Sequence, residues 1–380
     1  MLNIKYVAAF LIFCSMLIFF NSCSVRDNTD STQYYTIPEQ RDDGWEISTP
    51  GSEGMNIEIL EELLGKIESN YYKNIHNFLI IKNGKLVLDE FYKKELTVVD
   101  SYVDNRDIEV HAMMSVTKSI VSLLAGVAIE NKIINGTGDK VYHFFPEYKD
   151  FDNWSERKSE ITIRNFLTMR HGLLWDETSY KYIDPKNTYN QMEQHDDWVK
   201  FTLDREIASN PGEVFAYSTG ASHTMAALLS NASGMTFPEF AESNLFKELG
   251  IKKKEWYKAP NGRADDVYLT GRDMVKFGQL VLDKGIWRGK QLVPEEWIRE
   301  STARIVNVSE YGYGYFWWHY IFKYNGVEYP SVFAWGYGGQ FIFVFPELNM
   351  VVCFTSGNYL NDLSKQPFGM ISRYIIPSLF

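Results

Sequence analysis

The stretch His111-Ala-Met-Met-Ser115-Val-Thr-Lys118-Ser-Ile-Val-Ser-Leu-Leu-Ala-Gly-Val-Ala128 decides how the chain is read. Ile120, Val121, Leu123, Leu124, Val127 and Ala128 recur at helical spacing, which predicts a helix buried against a core with Ser115 in its first turn. Residues three apart share one helical face, so Lys118 stands beside Ser115. A helix start offers unpaired N–H groups and the positive end of the dipole, both of which favour an alkoxide or a tetrahedral oxyanion. One turn deeper, desolvation lowers a lysine pKa, and a neutral amine can then take the serine proton. The pair therefore predicts a nucleophile and its base. The same spacing recurs at Ser155-Glu-Arg-Lys158, but within a charged stretch that has no apolar helix behind it, and it reads there as a solvated loop.

With 380 residues, 45% of them hydrophobic and 16% aromatic, the chain can bury a large core in one large domain or two smaller ones. A net charge of -11 without a basic run excludes nucleic-acid binding. Residues 6–20 are apolar and follow Lys5, as in a bacterial export signal, and Asn21-Ser22-Cys23-Ser24 resembles a lipoprotein cleavage site. The expected organisation is a signal peptide over 1–22, lipidated Cys23 at the mature N-terminus, a flexible tether over 23–44, and a domain over 45–380. That places the domain in the cell envelope, held by lipid on a periplasmic or outer-membrane face. An uncleaved anchor and simple secretion are the alternatives. Of the three cysteines, Cys14 falls in the signal, Cys23 is the lipid site and Cys353 sits in an apolar strand, so neither a disulfide nor a catalytic thiol is expected.

Asn56 to Ile67 has helical spacing, and Phe78 to Tyr92 reads as two strands joined at Asn83-Gly84. From about 134 to 260 the composition shifts to short helices and loops, a mainly helical insertion. A helix over Asp273–Leu282, strands from Gln340 and Met350, and a closing helix over 366–380 follow. A sheet built from both chain ends around a helical insertion is an α+β fold, antiparallel and flanked by helices.

Tyr217, in Pro211-Gly-Glu-Val-Phe-Ala-Tyr217-Ser-Thr-Gly220, is the second chemical candidate, because a phenol beside a lysine ammonium can have a depressed pKa and shuttle protons. Together with Ser115-Val-Thr-Lys118, Ile161-Thr-Ile-Arg-Asn-Phe-Leu-Thr-Met-Arg-His-Gly-Leu173 and Tyr268-Leu-Thr-Gly-Arg-Asp-Met-Val-Lys-Phe-Gly-Gln-Leu280, this segment resembles the serine beta-lactamase-like family over about residues 75–380. The resemblance is to its class C, esterase and 6-aminohexanoate-dimer hydrolase branch, and it implies a beta-lactamase/transpeptidase-like fold.

By the resemblance, Ser115 is the acylated nucleophile, Lys118 its general base and Tyr217 a proton relay. The turn Gly336-Tyr337-Gly338-Gly339-Gln340 supplies the second oxyanion N–H, so the hole would be the backbone N–H groups of Ser115 and Tyr337. Thr219, Trp335, Gly336 and Gly338 are the candidate substrate-binding positions, and neither cofactor nor metal is implied. Two departures shape the substrate expectation. Thr219 replaces an asparagine common in lactamases, and Phe333-Ala-Trp335-Gly336 stands where a Lys-Thr-Gly motif would supply a cation. The expectation is therefore an ester or linear amide with an apolar portion, with Trp317, Trp318 and Trp335 as candidate cleft lining, and not efficient beta-lactam hydrolysis. Two rivals stand beside it: Ser218 as the nucleophile of an Ala216-Tyr-Ser-Thr-Gly220 elbow, and a non-hydrolytic penicillin-binding-like sensor on the same fold.

Overall fold

Asn83 and Gly84 take positive φ angles of 53° and 77° and close the two-residue turn between the strands Ile75–Lys82 and Lys85–Phe91. This hairpin is one end of the sheet that organises the chain. The computed structural model describes residues 33–92, 109–359 and 361–380, so the export signal and Cys23 lie outside the described residues.

The sheet has nine strands in the spatial order Glu46–Ile47, Lys85–Phe91, Ile75–Lys82, Met350–Ser356, Gln340–Phe345, Val327–Gly336, Trp318–Tyr324, Tyr311–Tyr313 and Val306–Val308. Every pairing is antiparallel except the first, where Glu46 and Ile47 run parallel to Lys85 and Leu86. Early and late parts of the sequence meet between its third and fourth strands, where Leu79 pairs with Cys353.

Both sheet faces are apolar because alternate residues feed two separate cores. Leu79, Ile81, Ile342, Val344, Val351 and Cys353 face one core, shared with the helices Val116–Glu130 and Gly271–Leu282. Phe78, Ile80, Phe341, Phe343, Val352 and Phe354 face the other. There the helix Ile57–Glu68 buries Leu60, Leu63, Leu64 and Ile67, and the C-terminal turns from Gln366 bury Met370, Ile371 and Ile375. Among the described residues no helix is long and apolar enough to cross a membrane.

The insertion is helical as expected through Ile163–Leu167, Thr188–Glu193, Trp198–Asp204, Thr219–Ser233 and Phe237–Ala241. Its last part differs, since Lys254–Lys258 is a strand. It belongs to a small sheet ordered His111–Ala112, Ala264–Leu269, Lys254–Lys258, which ties the insertion to the residues just before Ser115.

Three further expectations are corrected. The described part of the segment read as a tether is seated on the domain. The Tyr34 and Tyr35 N–H groups donate to Glu61 at 2.8 and 3.0 Å, Tyr35 donates its hydroxyl to the Val87 carbonyl at 3.1 Å, and Asp43 pairs with Arg272. Lys158 is not solvated: its amine is fully buried, donates to the Leu203 carbonyl at 3.0 Å and is pushed down to about 8 by desolvation. Charged neighbours disguised an aliphatic stem long enough to reach the interior. Trp317 is fully buried in the core and lines no cleft.

Gly278, on the helix Gly271–Leu282, lets that helix touch the sheet, because a Cβ there would stand 2.5 Å from both Ile342 and Val351. Gly369, in the helix Gln366–Met370, has open space around the same position. Gly278→Ala should therefore cost about 1–3 kcal/mol by overpacking, whereas Gly369→Ala should be neutral or stabilise by up to about 1 kcal/mol. Urea denaturation midpoints of the two variants check this, and equal midpoints would contradict it.

Candidate active site

Ser115 leaves the small sheet through a strained joint. Met113 donates its N–H to the Val267 carbonyl at 3.0 Å, Met114 takes a φ of +51°, and Ser115 enters the helix Val116–Glu130 as its N-cap with φ -66°. Left-handed backbone is costly for a side chain such as that of Met114, and its neighbours hold it there. The Ser115 hydroxyl makes no capping bond, so it is available for other work. The helix below is fixed on several sides: Ser119 donates to the Phe316 carbonyl at 2.7 Å, Thr117 donates to Asp266 at 2.5 Å, and the Trp297 indole donates to the Ser122 carbonyl at 2.9 Å.

The spacing of three places the Lys118 amine 2.8 Å from the Ser115 hydroxyl. Ser115 is partly exposed, while Lys118 is only 3% exposed. Desolvation lowers the Lys118 pKa to about 8, against the opposing pull of Glu177 and Asp266. Tyr217 completes the group: its phenol lies close enough to the Ser115 side chain to be influenced by it, and its ring centroid lies 5.1 Å from the Lys118 nitrogen. The expected depression of its pKa is reversed. Burial, with Glu177 nearby, drives the phenol well above its ordinary value, and the neighbouring Ser115 hydroxyl only partly offsets this. Tyr217 is therefore a neutral hydroxyl near neutral pH.

Thr219 sits inside this group. Its hydroxyl accepts from Lys118 at 3.1 Å and donates to Glu177 at 2.7 Å, and its N–H donates to the other Glu177 oxygen at 2.7 Å. Glu177, 2% exposed, also accepts from the Trp175 indole at 2.8 Å and the Tyr182 hydroxyl at 3.3 Å. Sequence reasoning missed Glu177, because one carboxylate in the polar run Asp176-Glu-Thr-Ser179 carries no periodic signal. Its loop is pinned by Asn187, whose amide donates to the Glu177 and Tyr180 carbonyls at 3.1 and 2.9 Å while its oxygen caps the following helix.

On the sheet side, Gly336 comes so close that a Cβ would stand 2.5 Å from the Met113 carbonyl, which brings the turn carrying Tyr337 up to the serine joint. Gly338 and Gly339 take φ angles of 86° and 100° in that turn. The buried Gln340 amide fixes its shape, donating to the Tyr337 and Ser356 carbonyls at 3.0 and 2.8 Å and accepting from the Ser356 N–H at 3.0 Å. Trp335 is placed otherwise than expected. It alternates with Ala334 and Gly336 and packs on the opposite core beside Phe341, linked to the site through Trp318, whose ring is 5.6 Å from it and 5.7 Å from Tyr217. Ser218 is fully buried and caps its helix by accepting from the Ala221 N–H at 3.0 Å, a structural use that leaves the rival elbow without an accessible hydroxyl.

A cavity of about 1000 Å³ lies along the helix Thr219–Ser233, lined by His223, Ala227, Ser230, Trp198 and Trp256 among others; Ser115, Lys118 and Tyr217 are not in its wall. Among the described residues no cluster of His, Cys, Asp or Glu could hold a metal ion.

A sheet flanked by helices, with a Ser-x-x-Lys pair at a helix start and a tyrosine brought in from an inserted lobe, is the architecture of one hydrolase family. The family model described as Beta-lactamase matches residues 77–365, and the chain belongs to that family. The 6-aminohexanoate-dimer hydrolase of Paenarthrobacter ureafaciens is 20% identical over 276 residues, covering 67% of this chain and 64% of that protein. The chain spans a little under two thirds of the length of the curated relatives it matches. A solved Bacillus anthracis protein, provisionally named a 6-aminohexanoate-dimer hydrolase, superposes with a TM-score of 0.64 at 19% identity, over 91% of this chain and 88% of its own. The hydrolase EstCE1, which has promiscuous acyltransferase activity, gives 0.63 at 14% identity, over 83% and 97%. At such identities the structural likeness establishes the fold.

Proposed function

We propose that this protein is a serine hydrolase that cleaves an ester or linear amide through an acyl-Ser115 intermediate. The observation that carries the reading is the 2.8 Å contact between the Ser115 hydroxyl and a buried Lys118 amine whose pKa is lowered to about 8. Neutral Lys118 takes the Ser115 proton as the serine oxygen adds to the substrate carbonyl. The oxyanion is received by the backbone N–H groups of Ser115 and Tyr337. Tyr217, neutral and beside Ser115, gives its proton to the leaving alkoxide or amine and takes in exchange the proton held by Lys118, which returns to its neutral form. Water then adds to the acyl-enzyme by the same path in reverse and frees the acid.

Aromatic side chains frame the approach. Tyr182 meets Tyr337 edge-on at 4.9 Å, Tyr337 meets Tyr359 at 5.5 Å, and Trp318 flanks Tyr217. This supports a substrate with an apolar or aromatic portion. Thr219, engaged by Glu177, offers no side-chain amide to a beta-lactam, and Trp335, on the far face, offers no cation to its carboxylate. We also propose that residues 1–22 direct export and that Cys23 carries the lipid; incorporation of labelled palmitate should be lost in Cys23→Ala, and retained label would refute the anchor.

A fluorophosphonate probe followed by peptide mapping should place the adduct on Ser115. Turnover of p-nitrophenyl esters should fall at least about 1000-fold in Ser115→Ala, while Ser218→Ala should stay active and lose only about 1 kcal/mol of stability with its cap. Full activity in Ser115→Ala would sink the assignment, and labelling without turnover would point instead to a binding protein. Because catalysis needs neutral Lys118, kcat/KM should climb as pH rises and level off above about 8. A rate that falls over that range would exclude Lys118 as the base.

A further inference from the structure

Glu177 receives four donors and donates to none: the Thr219 N–H and hydroxyl, the Trp175 indole and the Tyr182 hydroxyl. A carboxylate can only accept, so the Thr219 proton is committed to it, and Thr219 can meet Lys118 only as an acceptor. A neutral lysine amine has two N–H bonds and one lone pair. When Thr219 takes an N–H, the amine is held with its lone pair available to the Ser115 hydroxyl 2.8 Å away. We propose that Glu177 is a positioning residue for the Ser115–Lys118 pair, fixing through Thr219 both the place of the amine and the direction in which it accepts a proton.

The inference rests on the reading of Ser115 as nucleophile and Lys118 as base. Glu177 touches neither atom of that pair directly, and it sits on the loop between the helices Ile163–Leu167 and Thr188–Glu193, far from both in sequence. Its charge acts on Lys118 as well. The ionisable groups facing the amine are Glu177 from that loop, Asp266 from the strand Ala264–Leu269, Tyr217 from the approach to the helix Thr219–Ser233, and His223 from the helix itself. Tyr217 and His223 are held neutral by burial, and Asp266 is pushed up to about 6 but stays bonded to Thr117. Removing the Glu177 charge leaves Asp266 as the one carboxylate among these four that favours the ammonium form. The Lys118 proton should then leave at lower pH.

The test is a pH–rate profile of Glu177→Gln beside the wild type, with Ser115 labelling as the measure of intact sites. A glutamine places an N–H₂ opposite groups that all donate; Thr219 must turn its proton away, toward the amine. Normalised to the number of sites that can be labelled, kcat should fall by about 100-fold with KM little changed, and the acid limb should move below that of the wild type. A profile superimposable on the wild type would overturn the proposal, as would a loss that only tracks the fraction of folded protein. Should Glu177→Gln fail to fold, Thr219 decides: Thr219→Ser keeps the accepting oxygen and should retain most activity, whereas Thr219→Val removes it and should lose kcat. Equal activity in those two variants would overturn the proposal. A wild type that fails to label at Ser115 would instead overturn the underlying reading.

Discussion

Burying the Lys118 amine is the constraint around which this structure is arranged. An ammonium at 3% exposure is unfavourable, and lowering its pKa from 10.5 to about 8 corresponds to about 3 kcal/mol for holding the charged form. The folded-state value lies below the unfolded one, so this cost is felt in full below pH about 8 and fades as pH rises toward the ordinary lysine range. What makes the burial tolerable is a shell drawn from every part of the chain. Ser115 comes from its own helix, Thr219 and the Tyr217 ring from the start of another, Glu177 from a loop, and Asp266 from the small sheet. The insertion lobe therefore completes the environment of the amine as well as covering the sheet.

The elements that a local pattern can specify were legible. The helix behind Ser115 followed from its apolar spacing, the first hairpin from Asn83-Gly84, and the last strands from unbroken runs such as Gln340 to Phe345, which alternate into two cores. Their burial on both faces explains why those runs show no polar alternation. The Ser115–Lys118 contact was legible too, because both partners lie on one turn of one helix.

What escaped the sequence depends on distant partners. Glu177 gains its place from Thr219, 42 residues on, and nothing in its own neighbourhood distinguishes it from a solvated acid. His111–Ala112 is a two-residue strand that exists only because Tyr268 and Leu269 pair with it. The Tyr217 phenol illustrates a different limit. Proximity to a lysine suggests a depressed pKa, but the outcome is set by burial against charge, and burial was invisible until the lobe was in place. Trp335 turned away because register assigns alternate residues of a strand to opposite faces, and one position along the chain reverses the side.

The pairing of Leu79 with Cys353 inside the large sheet has a consequence for how the protein comes into being. The strand Ile75–Lys82 is made well before one of its two neighbours, Met350–Ser356, which emerges only after the whole helical insertion. Closing that gap brings together residues far apart in sequence, the situation that slows folding and keeps apolar strands uncovered while the chain waits. The hairpin at the start cannot bury both faces alone, so the molecule gains its fold late and nearly as a whole. A chain interrupted before Met350 leaves the opening strand without this partner, and such fragments are natural targets for chaperones and proteases.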